Sequence, residues 1–310
     1  MTIHPAEQQA LVDAVRSLLE KRADSAAVRR ADGFDADLWR TLTEQIGVAA
    51  LPIPEEHGGA GASIVESALV LEQIGYRLAP VPLLSSLIAA YATDDPALLE
   101  RIASGEVCAV VVSEPLVPDG GDATLVLALT DDGTVLLEGA TATPVRAMDP
   151  TLRLGTVDVT TATRTPVPGD PQGARDAALI GLTALAAGCA RRGLDMTVEY
   201  AKQREQFGRP IGSFQALKHR MADLLVLVES TVSAARAAAR GELDPRAAAA
   251  YAKEAVARVA AETIQLHGGI AITWEHDAQL MFKRAHALGQ LFGQAHELRG
   301  EALASYSASR

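Results

Sequence analysis

With 310 residues, the chain has enough length for two or three packed layers or two modest domains. Its formal net charge of −11 argues against nucleic acid or an anionic membrane as a general partner, so an anionic ligand must find a local cluster of arginines or lysines. Hydrophobic residues make up 48% and aromatics only 4%, so the core must be built mainly from Ala, Leu and Val, a composition that favours helix-on-helix packing.

Residues 1–105 read as helical. Met1 to Ala10 is polar and carries Glu7, unlike a secretory signal. Ala10, Val12, Val15, Leu18 and Leu19 recur at helical spacing, as do Leu38, Leu42 and Ile46, after which Gly47 ends the helix. Leu51 to Gly59 is a loop rich in Pro and Gly. A further helix carries Ile64, Ala68, Leu71 and Ile74 on one face, with Gly75 expected to close it. Asp94-Asp95-Pro96 starts another.

The pattern changes over 106–168. Val107–Val112, Thr124–Thr130, Thr134–Glu138 and Leu152–Val159 are short, rich in Val, Leu and Thr, and separated by turn residues, with Asp132-Gly133 as a hairpin signal. This β module of roughly 60 residues is close to the lower limit for a core of its own, so it should lean on its helical neighbours. Pro166 to Gly173 reads as the linker out of it.

Residues 169–310 read as an antiparallel four-helix bundle. Leu179, Leu182, Ala186, Cys189, Gly193 and Met196 mark the first helix, and Phe214, Leu217, Met221, Leu224, Val228 and Val232 the second. Asp244-Pro245 opens the third, which carries Ala252, Val256, Val259, Thr263 and Leu266. Gly268-Gly269 stops it, and the fourth is expected from about Trp274 to Leu288. The longest apolar run, Ala177 to Ala190, is short for a membrane span. Cys108 and Cys189 sit in apolar runs and read as buried hydrophobes, not as a bridge or metal site. A cytoplasmic protein is expected.

The chemistry concentrates between the first two bundle helices. Arg204 offers a planar fork suited to a pyrophosphate, with Phe207 as an aromatic face beside it. Gly208 and Gly212 allow the backbone to turn, and Ser213 is a candidate N-cap. On spacing alone, a solvated surface Arg204 with Phe207 and Phe214 sealing two helices is the favoured reading.

The segment Arg204-Glu-Gln-Phe-Gly-Arg-Pro-Ile-Gly-Ser-Phe-Gln215 resembles the signature of the acyl-CoA dehydrogenase family, Arg-x-x-Phe-Gly-x-x-Ile-x-x-Phe-Gln. A second signature is similar over Gln265-Leu-His-Gly-Gly-Ile-Ala-Ile-Thr-Trp-Glu-His-Asp277, and the stretches ending at Gly59 and Gly75 are similar to the family's N-terminal domain. The resemblance implies a mainly α fold: an N-terminal helical domain, a small central β domain and a C-terminal four-helix bundle. It implies FAD at a subunit interface, met by Arg204, Phe207, Gln265, Gly268 and Gly269. His267 is expected to pack or cap the helix end, and Trp274 and His276 to lie at an interface or near the flavin rim.

The family reaction needs a desolvated carboxylate to take the α-proton of an acyl-CoA. One usual place falls in Gln290-Leu-Phe-Gly-Gln294, where an apolar residue, Phe292, stands instead. The other falls about seven turns before the Arg204 loop, in Arg175-Asp-Ala-Ala-Leu179, near an alanine. The family's flavin loop survives only as Ser113-Glu-Pro115, and its tryptophan-bearing strand has no counterpart, since Trp39 and Trp274 both lie in helical parts. No catalytic residue is therefore expected. The resemblance is to the short subunit of heteromeric, steroid side-chain type acyl-CoA dehydrogenases, implying a full-length partner subunit in an α2β2 assembly, an acyl-CoA substrate and an electron-transfer flavoprotein. The alternatives are a homotetramer with Asp176, Glu199 or Glu205 as displaced base, and a non-enzymatic scaffold, against which the intact motifs speak.

Overall fold

Local capping sets most of the helix boundaries. In the computed structural model, which describes residues 4–112 and 116–308, α1 (Pro5–Arg22) opens on a capping box between His4 and Glu7. It buries Val12, Val15 and Leu19; Ala10, expected on that face, is exposed. Asp24 caps α2 (Ser25–Arg30), and Asp35 caps α3 (Ala36–Thr41), which widens into a π turn over Leu42–Ile46 and ends at Gly47 with φ 79°. The α4 helix (Ile64–Arg77) starts on a Ser63–Glu66 capping box. It runs through Gly75, the expected stop, and ends at Leu78, whose φ is 53°. Two more helices follow: α5 (Leu83–Ala92) and α6 (Pro96–Ala103), the latter capped by Asp95.

Seven strands come next: β1 (Cys108–Val111), β2 (Val117–Pro118), β3 (Leu125–Thr130), β4 (Gly133–Glu138), β5 (Thr141–Val145), β6 (Leu154–Asp158) and β7 (Thr163–Val167). One sheet has the order β1-β3-β4-β7, with β1 parallel to β3, and the other the order β2-β6-β5. The strands β2, β5 and β7 were not expected from the pattern. Both β5 and β7 are largely exposed edge strands rich in Thr and Pro, without an alternating apolar face. The hairpin pairs Thr130 with Gly133, so Asp131 and Asp132 make the turn, one residue earlier than the Asp-Gly signal suggested. Pro166 and Val167 belong to β7, not to a linker. Ser113-Glu114-Pro115, the flavin-loop remnant, lies outside the described residues.

The bundle comprises α7 (Pro171–Gln203), α8 (Gln215–Ala239), α9 (Pro245–His267) and α10 (Ala278–Gln290), the last starting four residues later than expected. A further helix, α11 (Ala295–Ala308), packs on α9. By length and composition α7 could cross a membrane, but 89% of its most apolar window is buried, so it is a core helix here.

Gly75 is needed for close approach, not for capping. A Cβ there would stand 2.2 Å from the Leu185 carbonyl oxygen, and one on Gly188 would stand 1.9 Å from that of Glu72. The backbones of α4 and α7 therefore touch. A second tie crosses from α10 to the β5–β6 loop: buried Arg284 donates to Asp149 Oδ2 at 2.6 Å and to the Thr151 carbonyl at 2.5 Å. Charge pairing of this kind, once desolvated, is costly to break from one side.

Asp119, after β2, is buried beside Ser85, with Oγ and Oδ2 2.6 Å apart. Burial pushes its carboxyl up to about 7, against the lowering effect of the Ser85 bond. When protonated, Asp119 can donate to Ser85 Oγ, which then donates to the Pro118 carbonyl at 3.1 Å. Because the folded pKa exceeds the unfolded value of about 3.9, this stabilisation is complete below that value and lost as pH rises through about 7. Thermal melts between pH 4 and 8 should show the chain losing stability with rising pH relative to Asp119→Asn; parallel curves would refute the assignment. Gly188→Ala should cost about 2 kcal/mol or more in urea unfolding through backbone overlap. Gly289→Ala, where no atom lies within 4 Å, should be neutral or stabilising.

Candidate functional site at the bundle end

Because α8 reverses the direction of α7 and α9 reverses α8, the C-terminal ends of α7 and α9 lie together. Thr197 and Thr263 hydroxyls meet at 3.2 Å, and one turn further the rings of Tyr200 and His267 stack with centroids 4.5 Å apart. Each helix then continues directly into one of the two motif loops. Tyr200 and His267 thus hold the loops side by side.

The first loop begins at Arg204, whose amide donates to the Tyr200 carbonyl and whose carbonyl accepts from the Ile211 amide, both at 2.8 Å. Between these anchors β8 (Glu205–Gln206) and β9 (Arg209–Pro210) form a hairpin. Its two turn residues, Phe207 and Gly208, have φ of 52° and 74°, as a type I′ turn requires. Phe207 is 92% exposed, so it does not seal two helices; its ring meets that of Phe214 edge to face, with centroids 6.1 Å apart. Arg209 covers the Phe214 ring at 4.1 Å. Gly212 serves close packing, since a Cβ would stand 2.9 Å from the Ala201 carbonyl oxygen. Ser213 is not the N-cap: Phe214 holds that position, and the Ser213 hydroxyl donates to the Pro210 carbonyl at 2.7 Å. Arg204 is exposed and makes no ion pair among the described residues.

The second loop opens at Gly268, with φ 66° and ψ −148°, and runs as a 3₁₀ turn to Ile272. Gln265, Gly268 and Gly269 are exposed, and nothing lies within 4 Å of where a Cβ on either glycine would stand. His267 is 3% exposed and its Nδ1 donates to the Thr263 carbonyl at 2.8 Å. Burial holds its pKa below the ordinary histidine value, and the same is true of His276, whose Nδ1 accepts from the Ala278 amide and caps α10. The His267 imidazole, buried and bonded within its own helix, is not built to exchange a proton with a ligand. An unpaired guanidinium, an exposed amide and two unobstructed glycines are chemically suited to a pyrophosphate and its nucleoside. The surface is open on one side, so these residues can supply only part of an enclosing site.

The two places where the resemblance puts a base also converge. Ala178 and Asp176 on α7 line a cavity of about 410 Å³ together with Phe292. Phe292 has φ 57°, and its turn is clamped by Lys253, a buried residue unremarked in the sequence, whose ammonium donates to the carbonyls of Leu291 and Gly293. Asp176 accepts from Gln172 Nε2 at 2.9 Å. Burial pushes its carboxyl up, opposed by that bond and by Arg246. Glu199 lies about 35 Å further along α7, and Glu205 follows in the hairpin, so both belong to the other end of the bundle.

Residues 5–106 match the family description "Acyl-CoA dehydrogenase, N-terminal domain" and residues 178–300 "Acyl-CoA dehydrogenase, C-terminal domain". Acyl-CoA dehydrogenase IpdE2 of Mycobacterium tuberculosis is 45% identical over 95% of this chain and 95% of its own length. FadE34 of the same organism is 35% identical over 90% of this chain and 44% of its own. Among solved structures, the ChsE4-ChsE5 complex from Mycobacterium tuberculosis superposes with a TM-score of 0.85 at 27% identity, over 97% of this chain and 98% of that one. The Tcur3481-Tcur3483 steroid ACAD shares the fold, with a TM-score of 0.83 at 24% identity over 98% and 99%.

The stacked pair that joins the loops can be measured directly. A double-mutant cycle of Tyr200→Ala and His267→Ala should give a coupling of about 0.5–1.5 kcal/mol in denaturant unfolding. Additive losses would mean that the two rings do not support each other.

Proposed function

The chain belongs to the acyl-CoA dehydrogenase family, whose members are FAD-dependent, and we propose that it is the base-lacking subunit of a cytoplasmic heteromeric acyl-CoA dehydrogenase. A full-length partner, on this reading, carries the carboxylate. The carrying observation is Phe292, an apolar side chain clamped by Lys253 in the cavity that also receives Ala178, so that both usual places for the base are apolar. The likeness to one chain of a ChsE4-ChsE5 complex supports a hetero-assembly.

FAD, when bound, supplies the acceptor for the hydride that leaves Cβ of the acyl-CoA. This chain's part is to bind and orient. Arg204 meets the pyrophosphate with a charge-assisted fork, while Gln265 and the amides of Gly268 and Gly269 line the nucleoside end. Phe207, on its hairpin, offers an aromatic face to the same cofactor. Tyr200 and His267 position the two loops. The rest of the enclosure comes from the partner, and exposed apolar residues on the C-terminal helices, Leu225 and Val226 on α8 and Leu303 and Tyr306 on α11, are suited to such assembly. On the same reading, which rests on the resemblance alone, an electron-transfer flavoprotein would be the further partner and a bulky, ring-bearing acyl-CoA the substrate.

Asp176 supports a second reading, a homomeric enzyme with a displaced base, because it lines the cavity and burial pushes its carboxyl up. Its bond to Gln172 and its neighbour Arg246 favour the ionised form, which tempers that shift.

In the assembled heteromer, Arg204→Ala should weaken FAD retention by about 1.5–3 kcal/mol, a tenfold to hundredfold loss in affinity. Unchanged flavin content after extensive dialysis would remove Arg204 from the site. The isolated chain should show no acyl-CoA dehydrogenase activity and gain it on co-expression with a full-length subunit. There Asp176→Asn should leave turnover within a few fold, whereas loss of a general base typically costs about 10²–10⁴-fold. A collapse of turnover with flavin and assembly intact would make Asp176 the base.

A further inference from the structure

A third cavity, of about 590 Å³, lies between α2, the β5–β6 loop and α10, and neither the Arg204 hairpin nor Phe292 lines it. Four cations line it: Arg29, Arg146, Arg153 and Lys283. In a chain of net charge −11 such a concentration needs an account.

Most nearby carboxylates are already committed. Asp149 is buried under Arg284 and Thr151, and Asp122 takes Arg153 at 2.5 Å. Asp277 is shared by Arg29 at 2.9 Å and Arg192 at 3.6 Å, so two guanidiniums divide one negative charge. Nη1 of Arg29 is buried without a hydrogen-bond partner. Lys283 makes no ion pair among the described residues; its ammonium stands 5.1 Å from the Trp274 ring centroid, and the Arg29 guanidinium stands 5.2 Å from the same ring. An indole holds cations in place without neutralising them. Arg146, on the β5–β6 loop, is exposed and makes no hydrogen bond or ion pair among the described residues. The remaining acids are exposed: Asp32, on the cavity wall, acts on Arg153, and Glu275 acts on Arg29, which leaves Arg146 and Lys283 without a carboxylate partner among the described residues.

We propose that this cavity binds a small organic phosphate or diphosphate, held by Arg146, Lys283 and Arg29 around Trp274. Guanidinium forks match phosphate oxygens in pairs, and a lysine beside them adds a point charge. The volume is in the range of small-molecule sites and exceeds what a lone phosphate fills. Val145 and Leu152 also line the cavity and give the organic part an apolar surface.

Calorimetric titration of the purified full chain at low salt, with pyrophosphate and separately with ADP, tests the site. Pyrophosphate should bind with a dissociation constant of about 1 mM or tighter. The double variant Arg146→Gln/Lys283→Met should weaken it at least about tenfold, with an unchanged melting temperature. Arg204→Ala should leave it intact. Binding of ADP as well as pyrophosphate identifies a nucleotide-sized occupant, and pyrophosphate alone a smaller one; either supports the site. Absence of pyrophosphate binding overturns it, as does binding that survives the double variant or is lost with Arg204→Ala.

Discussion

Where α4 crosses α7, two helix backbones meet with no side chain between them. Gly75 and Gly188 face carbonyls of the opposite helix at distances no Cβ can share, and the rest of the molecule is arranged around that contact. The α7 helix also packs against α5, α8, α9 and α10, so it is the element through which the N-terminal helices and the bundle share one core. Its first turns wall the Phe292 cavity and its last residue leads into Arg204. A shift of α7 along its axis would therefore displace both ends together, and the glycine contact is what forbids it.

The same architecture separates two kinds of chemistry. Near the start of α7 Ala178 and Phe292 face one cavity with Asp176, which is bonded to Gln172, and the Phe292 turn is fixed by buried Lys253. At its end the backbone opens into exposed cationic and glycine-bearing loops, supported from below by stacked, uncharged rings. Burying the His267 imidazole beneath these loops, where burial disfavours its charged form, avoids placing titrating charge where the loops must keep one shape.

What was legible in the sequence was what is decided locally. Asp95-Pro96 and Asp244-Pro245 start helices because the cap and the proline act within one turn, and Gly47 ends one because its φ must be positive. Gly75 was misleading: a glycine late in an apolar helix fits a terminator and a packing contact equally, and only the position of Leu185 separates the two. The strands β5 and β7 carried no alternating signal because their faces are wet. Ser213 looked like a cap, but its hydroxyl is used within the preceding turn. Around the motifs, Arg204 stood out by its type, and Gln265 and the two glycines only through the family resemblance. Tyr200 did not, because its partner is His267, far along the chain. The apolar residues at the two usual positions, Ala178 and Phe292, could be read one by one, but they meet in one cavity only through the fold.

The Phe207 hairpin has a consequence for the energetics of association. A large apolar side chain at φ 52° on a two-residue turn is an unfavourable local state, imposed by the strand pair and by the anchors on either side of Arg204. That conformational cost is met when this chain folds. A surface that receives Phe207 therefore meets a ring already held in place, with less entropy left to lose on docking than a floppy loop would forfeit.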